Sequence, residues 1–392
     1  MKKILVINPG SSTIKWKIYS KDKFEVLAEG VADRITVDGI IETKFNGEKH
    51  TKELTLNNHK DACQAVADHL SELKILDDYS DVENIGFRVV QGGTVYSETT
   101  ELNDKDIKVI DELSILAPLH NPGAVASIKA FKDIFKEAKL TATFDTAFHT
   151  TMPEVNYTYP IEKKLAKKLG IKKFGMHGTS HRFVTLKMQE ILGKKDVNIV
   201  VMHIGNGASL CAVKDSKSID TSMGLTPLAG VMMGTRSGDI DPSIHSFVVK
   251  NSDLTLEQFE TILNKESGIK GISGISQDMR DILGEITKGN KDAIFTMDLY
   301  TQKIVDYLVN YINKIGPKVD ALVFTAGVGE NSTLMRAEVL NKLNVVNVNI
   351  DKAANESKIG DFGIISTKDS EFPVYVVRTD EELMIAKDAV LK

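Results

Sequence analysis

The chain has 392 residues, which is enough for two or three domains of ordinary size. Its 49 basic and 54 acidic residues give a net charge of −5 with neutral histidines, which argues against a nucleic-acid-binding protein that depends on a broad basic surface. With 42% apolar and 26% charged residues the chain is not disordered throughout, and its two cysteines, Cys63 and Cys211, are too few for a disulfide framework.

The first predicted element is a strand over the apolar residues 4–7, followed by a turn at residues 8–12 (Asn-Pro-Gly-Ser-Ser). Residues 14–18 then alternate apolar and polar side chains, which predicts a second strand with its apolar side chains on one buried face. Lys15 belongs to the opposite face, close to the turn. The opening run is too short for a secretion signal, and no apolar run reaches the roughly 18 residues that span a membrane, so we expect a cytoplasmic protein without a membrane partner.

Helical and strand-like patterns follow in alternation. Helical periodicity occurs at Cys63, Val66, Leu70 and Leu73, and again at Ile304, Leu308 and Ile312. Strand-like apolar runs occur at residues 82–90, 140–144, 321–324 and 374–377. Strands interleaved with helices predict an α/β fold whose functional sites lie at the strand ends.

The strand–turn–strand pattern of the N-terminus returns near the middle of the chain. Residues 198–204 form an apolar strand, residues 205–209 (Gly-Asn-Gly-Ala-Ser) a turn, and residues 210–213 a second strand. The two turns are about half the chain length apart, and no shorter repeat accompanies them. We therefore predict two domains built on one plan rather than a solenoid.

A third glycine-rich segment, residues 327–331 (Gly-Val-Gly-Glu-Asn), also follows an apolar strand. Small residues let backbone N–H groups approach phosphate oxygens. Each of the three segments alone is compatible with an ordinary turn, but together they favour a nucleotide cleft. The chain has no G-x-x-x-x-G-K-[ST] sequence, which excludes a P-loop, and Ser332 stands where a dinucleotide-binding G-x-G-x-x-G would need its last glycine.

Two arginines stand among glycines in a chain that uses lysine far more often. Arg88 is followed by the Gly-Gly pair at 92–93, and Arg236 has a glycine two residues away on each side. A guanidinium in such surroundings suits two-point binding of a carboxylate or a phosphate. The alternative is an exposed arginine in a surface loop.

The chain has a histidine pair with i, i+4 spacing at His177 and His181. A zinc-binding H-E-x-x-H helix would need a glutamate after the first histidine, and a glycine stands there. Thr179 or Ser180 is instead expected to cap the following helix, which places His177 in the preceding loop and gives His181 a structural role.

Two carboxylates, Asp145 and Glu381, have more than one interpretation. Asp145 directly follows a predicted strand, where a carboxylate either belongs to a site or caps a turn. Glu381 belongs to the acidic first turn of the last predicted helix, where acids complement the helix dipole without any function. The alternative is a Mg²⁺ ligand, because Mg²⁺ takes one or two protein oxygens and completes its shell with water and phosphate.

Two segments resemble the signature sequences of acetate kinases. Residues 8–15 (NPGSSTIK) resemble the first signature, and residues 203–209 (HIGNGAS) resemble the second. Further blocks similar to the family occur in family order at residues 116–122, 144–149, 177–181, 220–238 and 324–331. On this resemblance, which extends over nearly the whole chain, the protein is identified as a member of the acetate kinase family.

The resemblance implies an α/β fold of two duplicated, actin-like (ribonuclease H-like) domains with a central cleft between them. It implies an N-terminal domain at residues 1–148, joined by the C-terminal helix at 378–392, and a nucleotide-binding domain at residues 149–377. The implied reaction is ATP + acetate ⇌ ADP + acetyl phosphate with Mg²⁺, or Mn²⁺ in its place, in a homodimer. Another short-chain carboxylate in place of acetate fits the same chemistry.

The resemblance also assigns roles position by position. The implied catalytic residues are Asp145, His177 and Arg236, and the implied metal ligands are Asn8 and Glu381. Arg88 would bind the substrate carboxylate, and an apolar pocket for the methyl group would comprise Val90, Leu119, Met176 and Pro227. The implied nucleotide-binding residues are Lys15, His203, Ile204, Gly205, Asn206, Gly207, Asp278, Met279, Arg280, Gly327, Val328, Gly329, Glu330 and Asn331.

The chain departs from the family pattern at a few positions. Phe87 and Gln91 replace the two histidines of the usual sequence GHRVVHGG, Met176 stands where phenylalanine is common, and Asp380 replaces an asparagine. The first three positions are near the implied acyl pocket, which leaves a propionate or butyrate kinase as an alternative. A non-catalytic ATP-binding module of the same fold is a further alternative.

A carboxylate substrate simplifies the chemistry, because it is an ionised nucleophile at neutral pH and needs no general base. The barrier then lies in bringing one anion to another and in stabilising charge on the transferred phosphoryl group. We therefore expect direct transfer, in which Asp145 orients an arginine or a metal-bound water and moves no proton.

Overall fold

Groups of strands are interleaved with groups of helices along the chain, as the sequence pattern predicts. In the computed structural model, which describes residues 1–10, 12–118 and 120–392, the strands are β1 Lys3–Pro9, β2 Ile14–Ser20, β3 Val26–Asp33, β4 Gly39–Phe45, β5 Glu48–Leu54, β6 Val82–Val89, β7 Thr100–Glu101, β8 Lys139–Phe144, β9 Ile199–Ile204, β10 Ala208–Lys214, β11 Lys217–Thr221, β12 Ala321–Thr325, β13 Phe362–Ile364 and β14 Val374–Val377. The helices are α1 His59–Glu72, α2 Asp104–Glu112, α3 Asn121–Ile134, α4 Glu154–Tyr157, α5 Lys163–Leu169, α6 Gly178–Leu192, α7 Ser243–Asn251, α8 Leu256–Lys265, α9 Gly268–Ser273, α10 Met279–Thr287, α11 Lys291–Ile315, α12 Ala326–Asn331, α13 Thr333–Asn341, α14 Lys352–Glu356 and α15 Glu381–Leu391.

The chain divides into two compact units. Unit 1 comprises Met1–Phe148 and Asp380–Lys392, and unit 2 comprises His149–Thr379. Helix α15 therefore returns the end of the chain to the unit in which it begins. Among the helices of the described residues, none has both the length and the apolar character needed to cross a bilayer.

Unit 1 contains an eight-stranded mixed sheet with the order β5-β4-β3-β2-β1-β6-β8-β7. The alternation at residues 14–18 becomes β2, which pairs with β1 in antiparallel orientation and buries Ile14, Trp16 and Ile18. On its other side β1 pairs in parallel with β6, and β6 pairs in parallel with β8. The carboxyl ends of three parallel strands therefore meet at one edge of this sheet.

Helices cover both faces of the unit 1 sheet. Helices α1 and α3 enclose a core that contains Trp16 and Phe131, and α15 packs on the opposite face through Ile385. At Gly86 in β6, an added Cβ would lie 2.6 Å from Cγ2 of Ile385, so only glycine permits this approach of helix and strand. The close packing fixes the first turn of α15 relative to the sheet.

Unit 2 repeats this plan around a six-stranded sheet with the order β11-β10-β9-β12-β14-β13. Strands β9 and β10 are antiparallel, as β1 and β2 are. On its other side β9 pairs in parallel with β12, and β12 pairs in parallel with β14. All six residues of β9 are buried, which agrees with a sequence that is apolar apart from His203. The duplicated α/β plan predicted from the two echoing turns is confirmed.

Two local predictions near the glycine-rich segments are wrong. Residues 327–331 do not form a turn, because Ala326–Asn331 is the short helix α12. Neither Thr179 nor Ser180 caps α6, because the helix already begins at Gly178 with His177 as its N-cap. The strand before residues 327–331, β12, is where the sequence predicts it, and α6 differs from the prediction only in where it begins.

Candidate active site

Three polar side chains lie at the carboxyl ends of the parallel strands of unit 1. Asn8 lies near the end of β1, Arg88 near the end of β6, and Asp145 directly after β8. The carboxyl ends of parallel strands share one edge of a sheet, so the topology brings the three residues together. Glu381 joins them from the first turn of α15, which packs on β1 and β6.

The guanidinium of Arg88 is the centre of this group. Its Nε donates to Oδ1 of Asp145 at 3.1 Å, and its Nη2 donates to Oδ2 of the same carboxylate at 2.6 Å. Its Nη1 donates to Oδ1 of Asn8 at 3.2 Å, and Oε2 of Glu381 lies 3.8 Å from Nε. The side chain of Asp145 is fully buried while that of Arg88 is 21% exposed, so the carboxylate anchors a guanidinium that still reaches the surface of the unit.

This group holds more negative than positive charge, because the carboxylates of Asp145 and Glu381 lie beside the single guanidinium of Arg88. Burial alone would lower the pKa of Arg88, but the charges of Asp145 and Glu381 outweigh that effect and raise it. Burial raises the pKa of Glu381 to about 7, and the attraction of Arg88 opposes this shift without cancelling it. Two carboxylates thus share one guanidinium, and a further cation would be stabilised beside Glu381.

The second group of predicted residues lies at the turn between β9 and β10 in unit 2. A Cβ added to Gly207 would lie 3.5 Å from both terminal nitrogens of Arg236 and 3.6 Å from Cε1 of His177. Nη1 of Arg236 also donates to the carbonyl oxygen of Pro227 at 3.0 Å. The structure therefore brings His177 and Arg236 together around a glycine backbone that leaves space beside them.

The loop that carries Arg236 is tied to the β9–β10 turn. The N–H of Gly234 donates to the carbonyl oxygen of Asn206 at 2.9 Å. A Cβ at Gly234 would lie 1.9 Å from Oδ1 of Asn206, so the contact requires glycine here. The glycines beside Arg236 thus serve close backbone packing, which fixes where the guanidinium lies.

His177 has an unusual backbone for a residue other than glycine, with φ 57° and ψ 21° as the N-cap of α6. Its Nδ1 lies 2.9 Å from Oγ of Ser209, and its ring stacks on that of His203 with centroids 4.2 Å apart. Nδ1 of His203 in turn lies 2.7 Å from Oγ of Ser180. His203 is buried and braces the ring of His177.

A cavity of about 400 Å³ in unit 2 collects residues from all three predicted nucleotide-binding segments. Its lining includes Gly205, Asn206, Asp278, Met279, Arg280, Gly327, Val328 and Asn331, together with Leu283 and Ser332. The sequence analysis does not predict the last two. Leu283 lies one helical turn after Met279 on α10, so helical periodicity is a signal that could identify it. Ser332 enters the sequence analysis only as the residue that replaces a glycine.

The other predicted nucleotide-binding residues of unit 2 do not line this cavity. Ile204 is fully buried, and Gly329 packs against it. The carboxylate of Glu330 accepts from the backbone N–H of Ala326 at 2.9 Å and of Thr379 at 3.1 Å, so it stabilises the start of α12. These positions support the cavity wall from behind.

Lys15 and the predicted acyl-pocket residues lie elsewhere. Lys15 is exposed on β2 of unit 1 and lines a groove of about 370 Å³ with Lys17 and Glu382. Val90 is buried in unit 1, whereas Met176 is buried in unit 2. Leu119 falls outside the described residues.

The departures from the family pattern around Arg88 are explained by packing inside unit 1. Phe87 is fully buried, with its ring centroid 6.0 Å from that of Phe131. Oε1 of Gln91 accepts from the N–H of Gly93 at 2.9 Å, and the side chain of Asn121 bonds to the backbone of Gln91. Both substitutions thus serve the core and the turn after β6.

With this geometry in place, comparison with known proteins identifies the family. The model of the acetokinase family matches residues 3–387. The chain belongs to the acetokinase family. It is 53% identical to the acetate kinase of Mycoplasmopsis pulmonis over 99% of this chain and 98% of that protein. It is 46% identical to the acetate kinase of Mesoplasma florum over 99% of each chain.

Solved structures from the family share the fold of this member. The acetate kinase of Porphyromonas gingivalis has a TM-score of 0.94 at 37% identity, with 100% of this chain and 99% of that chain covered. A propionate kinase from Francisella tularensis has a TM-score of 0.95 at 38% identity, with both chains fully covered. The predicted actin-like α/β fold and the family resemblance are thereby confirmed.

Proposed function

We propose that this acetokinase family member catalyses the reversible transfer of the γ-phosphoryl group of ATP to acetate, giving ADP and acetyl phosphate. The nearly full-length similarity to the acetate kinase of Mycoplasmopsis pulmonis carries this proposal. It does not favour a non-catalytic ATP-binding module, which was one alternative from the sequence.

Acetate needs a cation that holds its carboxylate close to a polyanion. We assign this role to Arg88, because Asp145 fixes two of its nitrogens while the Arg88 side chain remains 21% exposed. An acetate oxygen held in this way attacks the γ-phosphorus directly, since the carboxylate is ionised at neutral pH. Asp145 then acts as a positioning residue and transfers no proton.

The transferred phosphoryl group develops its charge on three equatorial oxygens. We assign their stabilisation to His177 and Arg236, which lie together beside Gly207. The nucleotide itself would occupy the cavity formed by residues of the β9–β10 turn, α10 and α12. Lys15 would reach its phosphates from β2, and this assignment rests on the family resemblance.

Mg²⁺ fits the donor set of unit 1. Within the described residues no group of three or more His, Cys, Asp or Glu side chains is arranged to hold a metal ion. Mg²⁺ does not need such a group, because one or two protein oxygens suffice when water and phosphate complete the shell. Asn8 and Glu381 would hold it, since the amide oxygen of Asn8 and the carboxylate of Glu381 both lie beside the guanidinium of Arg88. When bound, Mg²⁺ or Mn²⁺ neutralises phosphate charge.

We also propose a homodimer in the cytoplasm. Helix α7 has no buried residue, and its Phe247 is 67% exposed beside the exposed Ile244 and Val249. An apolar helix left open in this way is typical of a surface that a second copy covers. Two cysteines, Cys63 and Cys211, are too few for a disulfide framework, which is typical of a protein from a reducing compartment.

The test is trapping of the acyl phosphate by hydroxylamine with acetate, propionate and butyrate as acceptors. We expect acetate to give the highest kcat/KM, with propionate about tenfold or more below it, because one methylene in a pocket is worth ~1–3 kcal/mol. A complete lack of hydroxamate with every acid would refute the proposal. A higher kcat/KM for propionate or butyrate would reassign the substrate within the family.

A further inference from the structure

Four imidazole rings lie close together in unit 2, and the proposed chemistry uses only part of them. The ring of His177 stacks on His203, with centroids 4.2 Å apart. The ring of His181 lies 6.1 Å from that of His203 and 5.5 Å from that of His149. His181 is fully buried and has no role in the proposed transfer.

One hydroxyl group connects His181 to His177. Oγ of Ser209 lies 2.8 Å from Nε2 of His181 and 2.9 Å from Nδ1 of His177. The two histidines are four residues apart at the start of α6, so their rings lie on one side of the helix. Ser209 reaches both from the beginning of β10, where it is fully buried.

The direction of these two hydrogen bonds follows from proton counting. A hydroxyl carries one proton and can accept twice. The two rings are the hydrogen-bond partners of this buried hydroxyl among the described residues, so if both donated to Oγ its own proton would lack an acceptor; Ser209 therefore donates to one ring and accepts from the other. In one arrangement His181 donates from Nε2 to Ser209, and Ser209 donates to Nδ1 of His177. In the reverse arrangement His177 donates from Nδ1, and the proton of His181 must move to its own Nδ1.

The surroundings of His181 decide between these arrangements. Its Nδ1 is buried and has no hydrogen-bond partner among the described residues. A buried N–H without an acceptor is rarer and more costly than an acceptor without a donor. The proton of His181 therefore resides on Nε2, which makes Ser209 a donor to His177.

We propose that His181 and Ser209 are positioning residues that keep the proton of the neutral His177 ring on Nε2. This nitrogen then donates a hydrogen bond to an oxygen of the transferred phosphoryl group, a role that rests on the proposed function. His181 and Ser209 touch no substrate and act only through His177.

Two further observations agree with a series of hydrogen bonds that runs from a neutral His181 through Ser209 to His177. Burial, reinforced by the nearby His149 and His203, holds the pKa of His181 well below its usual value. His203 does not compete for the Ser209 hydroxyl, because its Nδ1 lies 2.7 Å from Oγ of Ser180 instead.

The first test is the tautomer of His177 in the substrate-free protein, measured by ¹⁵N-histidine NMR with the signals assigned through the loss of the His177 resonances in His177→Asn. We expect wild-type His177 to be protonated at Nε2, and we expect Ser209→Ala to give a mixture of the two tautomers. A wild-type ring protonated at Nδ1 would overturn the proposal, whether or not any variant folds. An unchanged tautomer in Ser209→Ala would overturn it as well.

The second test is kinetic and uses a matched pair at His181. The amide of His181→Gln can still donate to Ser209 from the position of Nε2, whereas His181→Phe fills the same space without a donor. We expect Ser209→Ala and His181→Phe to lower kcat by about 10–100-fold, the range typical of partners that orient a functional histidine, with KM values little changed. His181→Gln should recover most of that loss, and equal losses in the two His181 variants would reduce the residue to packing.

The two proposals can fail separately. Wild-type protein that transfers no phosphoryl group to any carboxylate refutes the proposed function, and the NMR measurement needs no substrate. A protein that is active but carries the His177 proton on Nδ1 keeps its function and refutes the positioning role.

Discussion

A single guanidinium, that of Arg88, meets three neighbours at the strand ends of unit 1. Asp145 takes two of its nitrogens and is itself fully buried, so loss of that charge frees the guanidinium to rotate. We expect Asp145→Asn to lower kcat/KM for acetate by about 10², because a small misplacement of a reacting group has effects of this size. The shape of the pH–rate profile should persist in the variant. Steady-state kinetics from pH 5 to 9 measure both kcat/KM and the shape of the profile, and Asp38→Asn, at an exposed position, is the control. If one limb of the pH–rate profile disappears in Asp145→Asn, Asp145 transfers a proton and the positioning role is wrong.

Arg236 should be the residue most sensitive to truncation in unit 2. By analogy with arginines that stabilise phosphoryl transfer, Arg236→Ala should lower kcat by about 10³–10⁵. Arg34→Ala, which removes an exposed arginine paired with Asp38, provides the matched control and should leave kcat unchanged. A loss below tenfold in Arg236→Ala would contradict the role in the transition state.

The buried His181 makes stability depend on pH. Its pKa is lowered in the folded protein, so below about pH 6.5 the unfolded chain binds a proton that the folded protein does not. The contribution of His181 to stability therefore falls as the pH falls from 7 to 5, by at most about 1.4 kcal/mol per pH unit, whereas Glu381, whose pKa is raised, contributes in the opposite sense. Urea unfolding at several pH values should show that lowering the pH from 7 to 5 costs His181→Gln less free energy of unfolding than it costs the wild type. An unchanged pH dependence in the variant would contradict this account.

At the scale of elements, helix α12 depends on an arginine that the sequence did not single out. Arg336 on α13 is almost completely buried, and its Nη1 donates to the carbonyl oxygens of Gly329 at 3.0 Å and Glu330 at 2.8 Å. Its Nε also donates to the side chain of Asn355 at 2.7 Å. These bonds satisfy carbonyl groups at the end of α12, which forms one wall of the proposed nucleotide cavity.

Loss of this support should affect ATP more than acetate. We expect Arg336→Met to raise KM for ATP by about tenfold, equal to ~1.4 kcal/mol of binding free energy, with a smaller change in KM for acetate. Initial rates over a matrix of both substrates separate the two effects. The surface variant Lys352→Met, on an exposed side chain of α14, should change neither. Equal increases in both KM values would point to general destabilisation instead.

At the scale of the whole molecule, the open face of α7 should decide the oligomeric state. Phe247→Asp places a charge in the centre of an apolar surface, so we expect sedimentation equilibrium to show monomers for this variant and dimers for the wild type. Val37 is exposed to a similar extent, 66% against 67% for Phe247, and Val37→Asp should remain dimeric. A wild-type monomer, or a dimer in both variants, would refute an interface through α7.

Elements with a strong period could be predicted from the sequence, whereas connections could not. The alternation around Trp16 places β2 and its buried face correctly, and the apolar runs place β6, β8, β12 and β14 within one or two residues. Residues 327–331 look like another glycine turn, yet they form a helix. The side chain of Glu330, within the helix, accepts from the N–H of Ala326 at its start, and Arg336 on the next helix donates to the carbonyl group of Gly329 near its end. Glycine is compatible with either a turn or a helix, so the hydrogen bonds from Glu330 and Arg336 decide between them.

By itself, the sequence determined the family, the duplicated plan and the residues that could bear chemistry, because period and glycine placement are local properties of the chain. Only the tertiary structure decided which of these residues meet. The parallel pairing of β1, β6 and β8 brings Arg88 together with Asn8 and Asp145. Arg88 and Asn8 form a hydrogen bond although they are 80 residues apart in the sequence. The same holds for the buried link from His181 through Ser209 to His177, since a hydrogen-bond direction depends on which neighbouring atoms lack partners.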